Sequence, residues 1–332
     1  MSRMNVNFTP RGIVETRIGQ GNPTSVDVSF NGTDVGLAKN YPYFVGPGGY
    51  ETIQAAIDAA AAGIAAGVPP VVGIAPAVYV EDLLITTNMQ LNWIMNYWAV
   101  GGDDDLGLLS GNIAVVNAGS YFFVMLNDIP QKTLAGGPAL LLDGNIQCYM
   151  DGCVILAYTT QEIIVTTGAF VNLRTNRCWF SGGSLATFKD SCSTACRWAD
   201  NGSDLVSLKG DVAGLELGAL CQLNFYGTKL TASPSTTKPM FLLSGTQTHN
   251  FFGCDFKMDD GAARQFMLFG ADATVNLRQC SLRNAGGAAP TAAFDDAGGG
   301  IGTVNFGGCS FENGTGTKAA GVTVNAITGS IV

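Results

Sequence analysis

Two acidic residues, Asp190 and Glu216, form the pair whose chemistry and spacing could support catalysis. They are 26 residues apart, which is the period of a repeat that runs through most of the chain. Residues one period apart on stacked strands lie about 5 Å from each other. Retaining glycosidases place their two carboxyl groups about 5–5.5 Å apart. The spacing therefore predicts a candidate catalytic pair, with a cation site, a subunit contact or no function as the alternatives.

The cysteines and the histidine do not form a recognisable motif. Nine cysteines make an odd number, none of them pairs at the Cys-x-x-Cys spacing of metal sites, and His249 is the single histidine. We therefore predict reduced, buried thiols, no metal site and no cofactor. His249 has the apolar phase of its neighbours Leu223 and Val275, which favours a hydrogen-bonded core histidine over a catalytic one.

The elements that must position these residues are short strands, indicated by a repeated apolar–Asn–apolar pattern. Its flanking apolar residues share one face, as strand alternation requires. A glycine corner and a second short strand, often opening with Cys, follow. We predict an all-β fold, a right-handed single-stranded parallel β-helix of about 26 residues per rung, with cysteines filling the core. Stacked amides form a structural ladder at Asn172, Asn224, Asn250, Asn276 and Asn305.

A third strand recurs at the same period, in the segments 215–217, 241–243 and 267–269. The last two segments are apolar on both faces, and a strand buried on both faces needs a second layer outside it. Exposed apolar stripes mark interfaces. We therefore predict a homotrimer whose subunit contact includes Phe241, Leu242, Met267 and Leu268.

The repeat also divides the chain. Residues 1–45 do not share it and are interpreted as an N-terminal anchor or attachment region. Residues 46–320 are assigned to the β-helix, with a capping helix near 51–66 that Thr52 begins. Residues 321–332 are interpreted as a C-terminal strand that closes the last open sheet edge.

Composition excludes several classes of protein. Only 13% of the 332 residues are charged, 47% are apolar and 44 are glycine, which excludes a disordered chain and indicates a largely covered surface. A net charge of −9 argues against nucleic acid as a partner. Gly and Pro interrupt the longest apolar run, residues 59–80, so we predict no membrane span. The first residues lack a signal-peptide pattern, which predicts synthesis in the cytoplasm.

Two segments resemble a known superfamily. The stretch 46–60 contains TIQAAIDAA, and the stretch 71–83 reads VVGIAPAVYVEDL. Both are similar to the pectin-lyase-like superfamily, in which such a helix caps a right-handed β-helix. Tyr79 and Glu81 match the GxYxE pattern of the pectinesterases within it, with Ala77 in place of the glycine. The other pectinesterase motifs, and the Asp and His motifs of polygalacturonases, have no counterpart.

The resemblance spans pectinesterases, polysaccharide lyases, glycosidases and viral tailspikes. We predict a bacteriophage virion structural protein, most like a trimeric tailspike or capsid spike, and the missing motifs favour this over an enzyme. It would contact other virion proteins through residues 1–45 and present loops to a host-surface glycan. The alternative is a polysaccharide lyase or glycoside hydrolase that uses Asp190 and Glu216. A cellular surface-layer or adhesin solenoid is a third interpretation, which an export signal would normally accompany.

Overall fold

The chain folds as a parallel β-solenoid of about 9 turns, and the described residues include a short helix near the N-terminus. This confirms the predicted all-β, parallel architecture. The computed structural model describes residues 6–7, 26–27, 41–68, 70–94, 107–133, 136–157, 162–182, 186–207, 214–232, 239–258, 265–284, 292–296, 301–312 and 317–326.

A full rung has three faces, here named A, B and C in chain order. Face A contains the short strands β6 (Leu83–Ile85), β15 (Phe188–Asp190), β18 (Leu215–Leu217), β21 (Phe241–Leu243), β24 (Met267–Phe269) and β27 (Phe294–Asp296). Three long strands run through faces A and B: β9 (Ile113–Asn127), β11 (Leu140–Asp151) and β13 (Ile164–Asn176).

Short strands complete face B and make up all of face C. Face B continues with β3 (Tyr43–Val45), β4 (Val71–Ile74), β7 (Met89–Trp93), β16 (Ala195–Asn201), β19 (Cys221–Tyr226), β22 (Thr248–Phe252), β25 (Thr274–Arg278), β28 (Thr303–Gly307) and β30 (Thr323–Ala326). Face C contains β5 (Val78–Val80), β8 (Leu108–Ser110), β10 (Pro130–Thr133), β12 (Val154–Ala157), β14 (Trp179–Gly182), β17 (Asp204–Ser207), β20 (Lys229–Ala232), β23 (Asp255–Met258), β26 (Ser281–Asn284) and β29 (Ser310–Phe311).

The core lies between the three faces and is filled by the inward residues of each alternating strand. Trp198 is fully buried, and its ring lies 4.7 Å from that of Phe188 and 5.0 Å from that of Phe225, measured between centroids. Phe225 in turn meets Phe251 edge to face at 5.6 Å. Edge-to-face contacts of this kind add to the free energy gained from burial alone. The nine cysteines are free thiols and all are buried, which agrees with their predicted packing role.

A left-handed residue forms the corner between faces B and C. Gly227, Gly253 and Gly308 have φ of 65°, 64° and 65° there, and Gln279 takes the same conformation with φ 53°. Glycine suits this corner because other residues pay a steric cost for positive φ. A small buried residue follows each corner, as Cys254 does after Gly253.

The helix α1 (Ile53–Gly63) covers the N-terminal end of the core and continues as a short 3₁₀ turn, Ile64–Ala66. Its N-terminus is capped twice. Thr52 Oγ1 accepts the Ala55 N–H at 3.1 Å. Glu81, beyond β5, accepts the N–H groups of Ile53 and Gln54 at 2.8 and 2.9 Å. The Glu81 carboxylate thus satisfies helix donors that would otherwise lack partners.

The structure describes strands near both ends of the solenoid. Strand β3 pairs with β4, so the solenoid already includes residues 43–45, which the sequence had placed in the attachment region. Of residues 1–40, the structure describes a parallel pair of two-residue strands, β1 (Val6–Asn7) and β2 (Val26–Asp27); the rest lie outside the described residues. Strand β30 stacks on β28 at the other end, and residues 327–332 lie outside the described residues.

Candidate functional site

The structure separates the two carboxylates that the sequence paired. Lys189, not Asp190, lies opposite Glu216 in the register of β15 and β18. Phe188 pairs with Leu215 in the same register, so this rung is one residue longer than the assumed period. A slip of one residue moves a side chain to the other face of its sheet. Asp190 is consequently buried, with 7% exposure, while Glu216 points outward, and the predicted catalytic pair is wrong.

Asp190 lies instead in a buried cluster with two cysteines. One carboxylate oxygen of Asp190 and the thiols of Cys192 and Cys196 lie within 4.8 Å of one another. The Thr166 hydroxyl donates to Asp190 Oδ1 at 2.6 Å, and the Cys192 N–H donates to the same oxygen at 3.1 Å. These three side chains could hold a metal ion. The spacing Asp-x-Cys-x-x-x-Cys was the available signal, and a search limited to Cys-x-x-Cys missed it.

The asparagine ladder consists of consecutive amide bonds on face B. Asn250 Nδ2 donates to Asn224 Oδ1 at 2.8 Å, and Asn276 donates to Asn250 at 2.8 Å. Asn305 donates to Asn276 at 2.9 Å, and Asn325 extends the ladder by donating to Asn305 at 2.9 Å. These bonds join the strands that carry them, which suits a structural role.

Asn172 does not belong to this ladder. Its partners in the neighbouring strands are Gln147 and Arg197, while Ala199 lies beside Asn224. The two rungs between β13 and β19 are each one residue shorter than the assumed period, so Asn224 lies two positions beyond the residue in register with Asn172. The prediction for Asn172 is therefore wrong, although the residue remains on the same outward side of face B.

His249 is a core residue, in line with its sequence phase. Its side chain is 1% exposed, and its Nδ1 accepts the backbone N–H of Leu223 at 3.3 Å. Burial lowers the pKa of His249 to about 4. The imidazole is therefore neutral at pH 7, with its proton on Nε2, and serves as a buried hydrogen-bond acceptor.

The residues predicted to form a subunit contact divide between the two sides of face A. Phe241 and Met267 are fully buried in the core, so neither is available to a second chain. Leu242 and Leu268 point outward, lie opposite each other and are half-buried. The remaining outward positions of the same column are mostly apolar: Leu84, Ala114, Leu141, Val165, Lys189, Glu216 and Asp295.

Large aromatic side chains are exposed along the corner between faces B and C, here called the corner ridge. Tyr226 and Phe252 lie opposite each other in β19 and β22 and are 52% and 46% exposed. Trp179, which begins β14 on the other side of the corner, is 41% exposed. The ridge is defined by the outward residues on either side of each corner: Asn176, Asn201, Tyr226, Phe252 and Arg278 before it, and Trp179, Asp204, Lys229, Asp255 and Ser281 after it.

Polar groups surround the exposed rings of the corner ridge. Asn201 Nδ2 donates to Asn176 Oδ1 at 3.0 Å, so the two amides hold each other in place beside Tyr226. On the far side of the corner, Asp204, Lys229 and Asp255 alternate in charge along one column. Burial raises the pKa of Asp204, and the Lys229 charge opposes that shift. The ridge thus combines apolar rings with fixed donors and acceptors over several rungs.

Sequence reasoning missed the corner ridge because its aromatic residues do not share one sequence pattern. Tyr226 and Phe252 each precede a corner glycine, whereas Trp179 follows a corner, and only the stacking of rungs places them together. Within the described part of the chain, no helix is both long and apolar enough to cross a membrane. No protein-family model, curated protein or solved structure matches this chain.

Proposed function

We propose that this chain is a spike-like structural protein that attaches to a host-surface glycan through its corner ridge. The observation that carries the proposal is the pair of exposed rings, Tyr226 and Phe252, in register on adjacent strands. Neighbouring exposed aromatic side chains form a contiguous apolar patch, and contiguous apolar patches mark interaction sites. Their rigid strand positions also lower the entropy cost of binding.

The composition of the ridge favours a polysaccharide over a protein as the ligand. A sugar ring has an apolar C–H face, which packs on an aromatic ring, and a rim of hydroxyl groups, which need hydrogen-bond partners. Asn201 supplies an amide oxygen next to Tyr226, its amide being oriented by Asn176 on the neighbouring strand, and Asp204 supplies a carboxylate acceptor. Because the ridge continues over successive rungs, it can contact several sugar units of one chain.

The wider assignment rests on architecture. The helix that caps the solenoid and the contact of Glu81 with that helix suit the pectin-lyase-like resemblance, so we propose a right-handed β-helix of that superfamily. We further propose a bacteriophage virion protein with residues 1–45 as its attachment region. The outward column of face A, with Leu242 and Leu268, is the surface on which we place the homotrimer contact.

The enzymatic alternative loses the residues that were to carry it. A lyase or hydrolase requires carboxylates that meet at the substrate, and Asp190 and Glu216 are on opposite sides of their sheet. A glycan-binding role requires neither residue. We therefore propose attachment without cleavage, in which bound polysaccharide keeps its original chain length.

Binding to an array of bacterial surface polysaccharides, followed by calorimetry on each polysaccharide that binds, tests the attachment role. We expect the double variant Tyr226→Ala/Phe252→Ala to weaken binding about tenfold or more, the loss of one or two aromatic anchors. Tyr121→Ala is the matched control, because Tyr121 is 48% exposed but does not belong to the ridge. Failure to bind any polysaccharide, or equal binding by the double variant, would contradict the proposal. Release of new reducing ends would favour the enzymatic alternative.

Light scattering tests the homotrimer separately. Leu242→Asp/Leu268→Asp places two charges on the outward side of face A without touching the core. We expect the wild-type chain to run at three times the mass of the monomer and the variant to dissociate. A monomeric wild-type chain at micromolar concentration would overturn the subunit assignment and leave the glycan proposal standing.

A further inference from the structure

We propose that Asp190, Cys192 and Cys196 form a binding site for a thiophilic divalent cation, with zinc as the ion that suits it best. The three side chains lie where the chain passes from β15 on face A to β16 on face B. Zinc binds cysteine thiolates and aspartate oxygens in tetrahedral sites. One ligand atom of each residue already lies within 4.8 Å of the others, so small side-chain rotations bring them to one ion.

The Asp190 carboxylate supplies an independent sign of a missing partner. Its Oδ1 accepts the Thr166 hydroxyl and the Cys192 N–H, whereas Oδ2 is buried without any hydrogen-bond partner. The residue is 7% exposed. A buried oxygen that lacks a partner costs free energy, and each such atom in a native structure calls for an explanation. A cation bound by this carboxylate and the neighbouring thiols would give the carboxylate a positively charged partner.

Surrounding groups hold the proposed ligands in place. The Thr166 hydroxyl lies 3.6 Å from Cys196 Sγ while it donates to Asp190, and so touches two ligands at once. Cys221 lies opposite Cys196 on the next rung and is buried as well. The Cys221 thiol is therefore the candidate for the fourth ligand of a tetrahedral ion. Outer contacts of this kind orient the ligands of known metal sites.

Metal binding balances as an exchange of protons for the ion. Without a metal, the hydrogen bond to Cys196 and burial raise the pKa of Cys192, so its thiol keeps its proton at pH 7. When the ion binds, Cys192 and Cys196 each release their thiol proton to solvent, and two S–metal bonds replace two S–H bonds. Two thiolates, one carboxylate and one divalent ion carry a net charge of −1. The carboxylate and two neutral thiols carry the same charge before the ion binds, so binding leaves the net charge of the site unchanged.

The position of the cluster indicates what the ion does. Cys192 is 8% exposed, so an ion can reach it from solvent, while Cys196 is fully buried on a face B strand. One ion would join the end of the face A strand to the start of the face B strand. Such a link stabilises the folded chain but not the unfolded chain, and the stabilisation grows with metal concentration.

Cobalt(II) is the probe for the experiment, because tetrahedral cobalt–thiolate sites absorb in both the near-ultraviolet and the visible range. The full-length reduced chain, stripped of metal, is titrated with Co²⁺ and then with Zn²⁺. We expect a thiolate-to-cobalt band that saturates at one ion per chain and disappears when Zn²⁺ is added. We also expect Zn²⁺ to raise the thermal midpoint of the wild-type chain.

Three variants separate the site from the other thiols. Cys192→Ser should lose the charge-transfer band and the zinc-dependent thermal shift, and Asp190→Asn should lose saturation at one equivalent. Cys309→Ser is the matched control, because Cys309 is 5% exposed and occupies a different corner. If Cys192→Ser does not fold, as judged by far-ultraviolet circular dichroism, the Asp190→Asn titration decides. No thiolate band in the wild type, an unchanged band in Cys192→Ser or Asp190→Asn, or an equal loss in Cys309→Ser would overturn the proposal.

Discussion

Acidification should destabilise this protein through His249, the single histidine of the chain. The folded state holds the imidazole neutral, because it is 1% exposed and its Nδ1 accepts the Leu223 N–H. Protonation of Nδ1 would remove that acceptor and place an uncompensated charge in the core. The unfolded chain binds the proton at the ordinary pKa of about 6.5, whereas burial lowers the pKa to about 4 in the folded state.

The sign and the size of the effect follow from these two pKa values. Because the folded pKa is the lower one, the unfolded state takes up the proton first as the pH falls. The stabilisation is therefore complete above pH 6.5 and is lost progressively toward pH 4. Proton linkage gives a loss of about 2 kcal/mol at pH 5 and about 3 kcal/mol at pH 4. Since carboxylates also titrate near pH 4, the range from pH 7 to 5 is the informative one.

Urea denaturation of the wild type and of His249→Leu, at intervals from pH 7 to 5, measures this contribution. Leucine suits the site because Leu223 occupies the same column of the preceding rung. The variant leaves the Leu223 N–H without its acceptor, so it should be less stable at pH 7 by about 1–3 kcal/mol. Its stability should then change little down to pH 5, and the gap to the wild type should narrow by about 2 kcal/mol. Parallel losses in both proteins would refute the assignment of His249 as a buried neutral acceptor.

Urea denaturation at pH 7 tests three features that stabilise the solenoid: the helix cap, the asparagine ladder and the corner glycine. Glu81→Ala removes the two carboxylate oxygens that accept the Ile53 and Gln54 N–H groups and should cost about 2–3 kcal/mol, while Glu81→Gln should cost about half as much. Asn250→Ala breaks two hydrogen bonds of the asparagine ladder and should cost about 1–2 kcal/mol. Asn172→Ala, outside the ladder, is the control, and an equal loss of stability there would contradict a stabilising role for the ladder. Gly253→Ala should cost about 1 kcal/mol through the positive φ of this residue alone, because a Cβ there meets no neighbour. An unchanged urea midpoint would show that alanine adopts this backbone conformation without strain.

The local features of the fold were predictable from local signals. Alternation of apolar residues defined the inward side of each strand, and the same alternation placed His249 in the core. The Thr52 cap and the apolar stripe of Ile53, Ala56, Ile57 and Ala60 predicted the helix, and all four of these stripe residues are buried. The resemblance singled out Glu81 but not its role as a helix cap, because its partners in the helix lie 28 and 27 residues earlier in the chain.

Residue pairing across rungs could not be predicted, because it depends on the length of every rung. A single longer rung moved Asp190 away from Glu216, and two shorter rungs moved Asn172 off the ladder. Loops and bends absorb extra residues at little cost in free energy, so the sequence period is an average and not a register. A register error of one residue is enough to move a side chain from the core side of its strand to the solvent side.

The sequence by itself therefore determined the class of fold, the capping helix and the inward side of the strands, because each depends on residues that are neighbours in the chain. The tertiary structure alone decided which side chains meet. It placed Tyr226 beside Phe252 on the corner ridge, and it gathered Asp190, Cys192 and Cys196 at one buried point. Stacked rungs bring residues that are a full rung apart in the chain into contact. Which residues meet depends on the number of residues that the backbone uses in each rung.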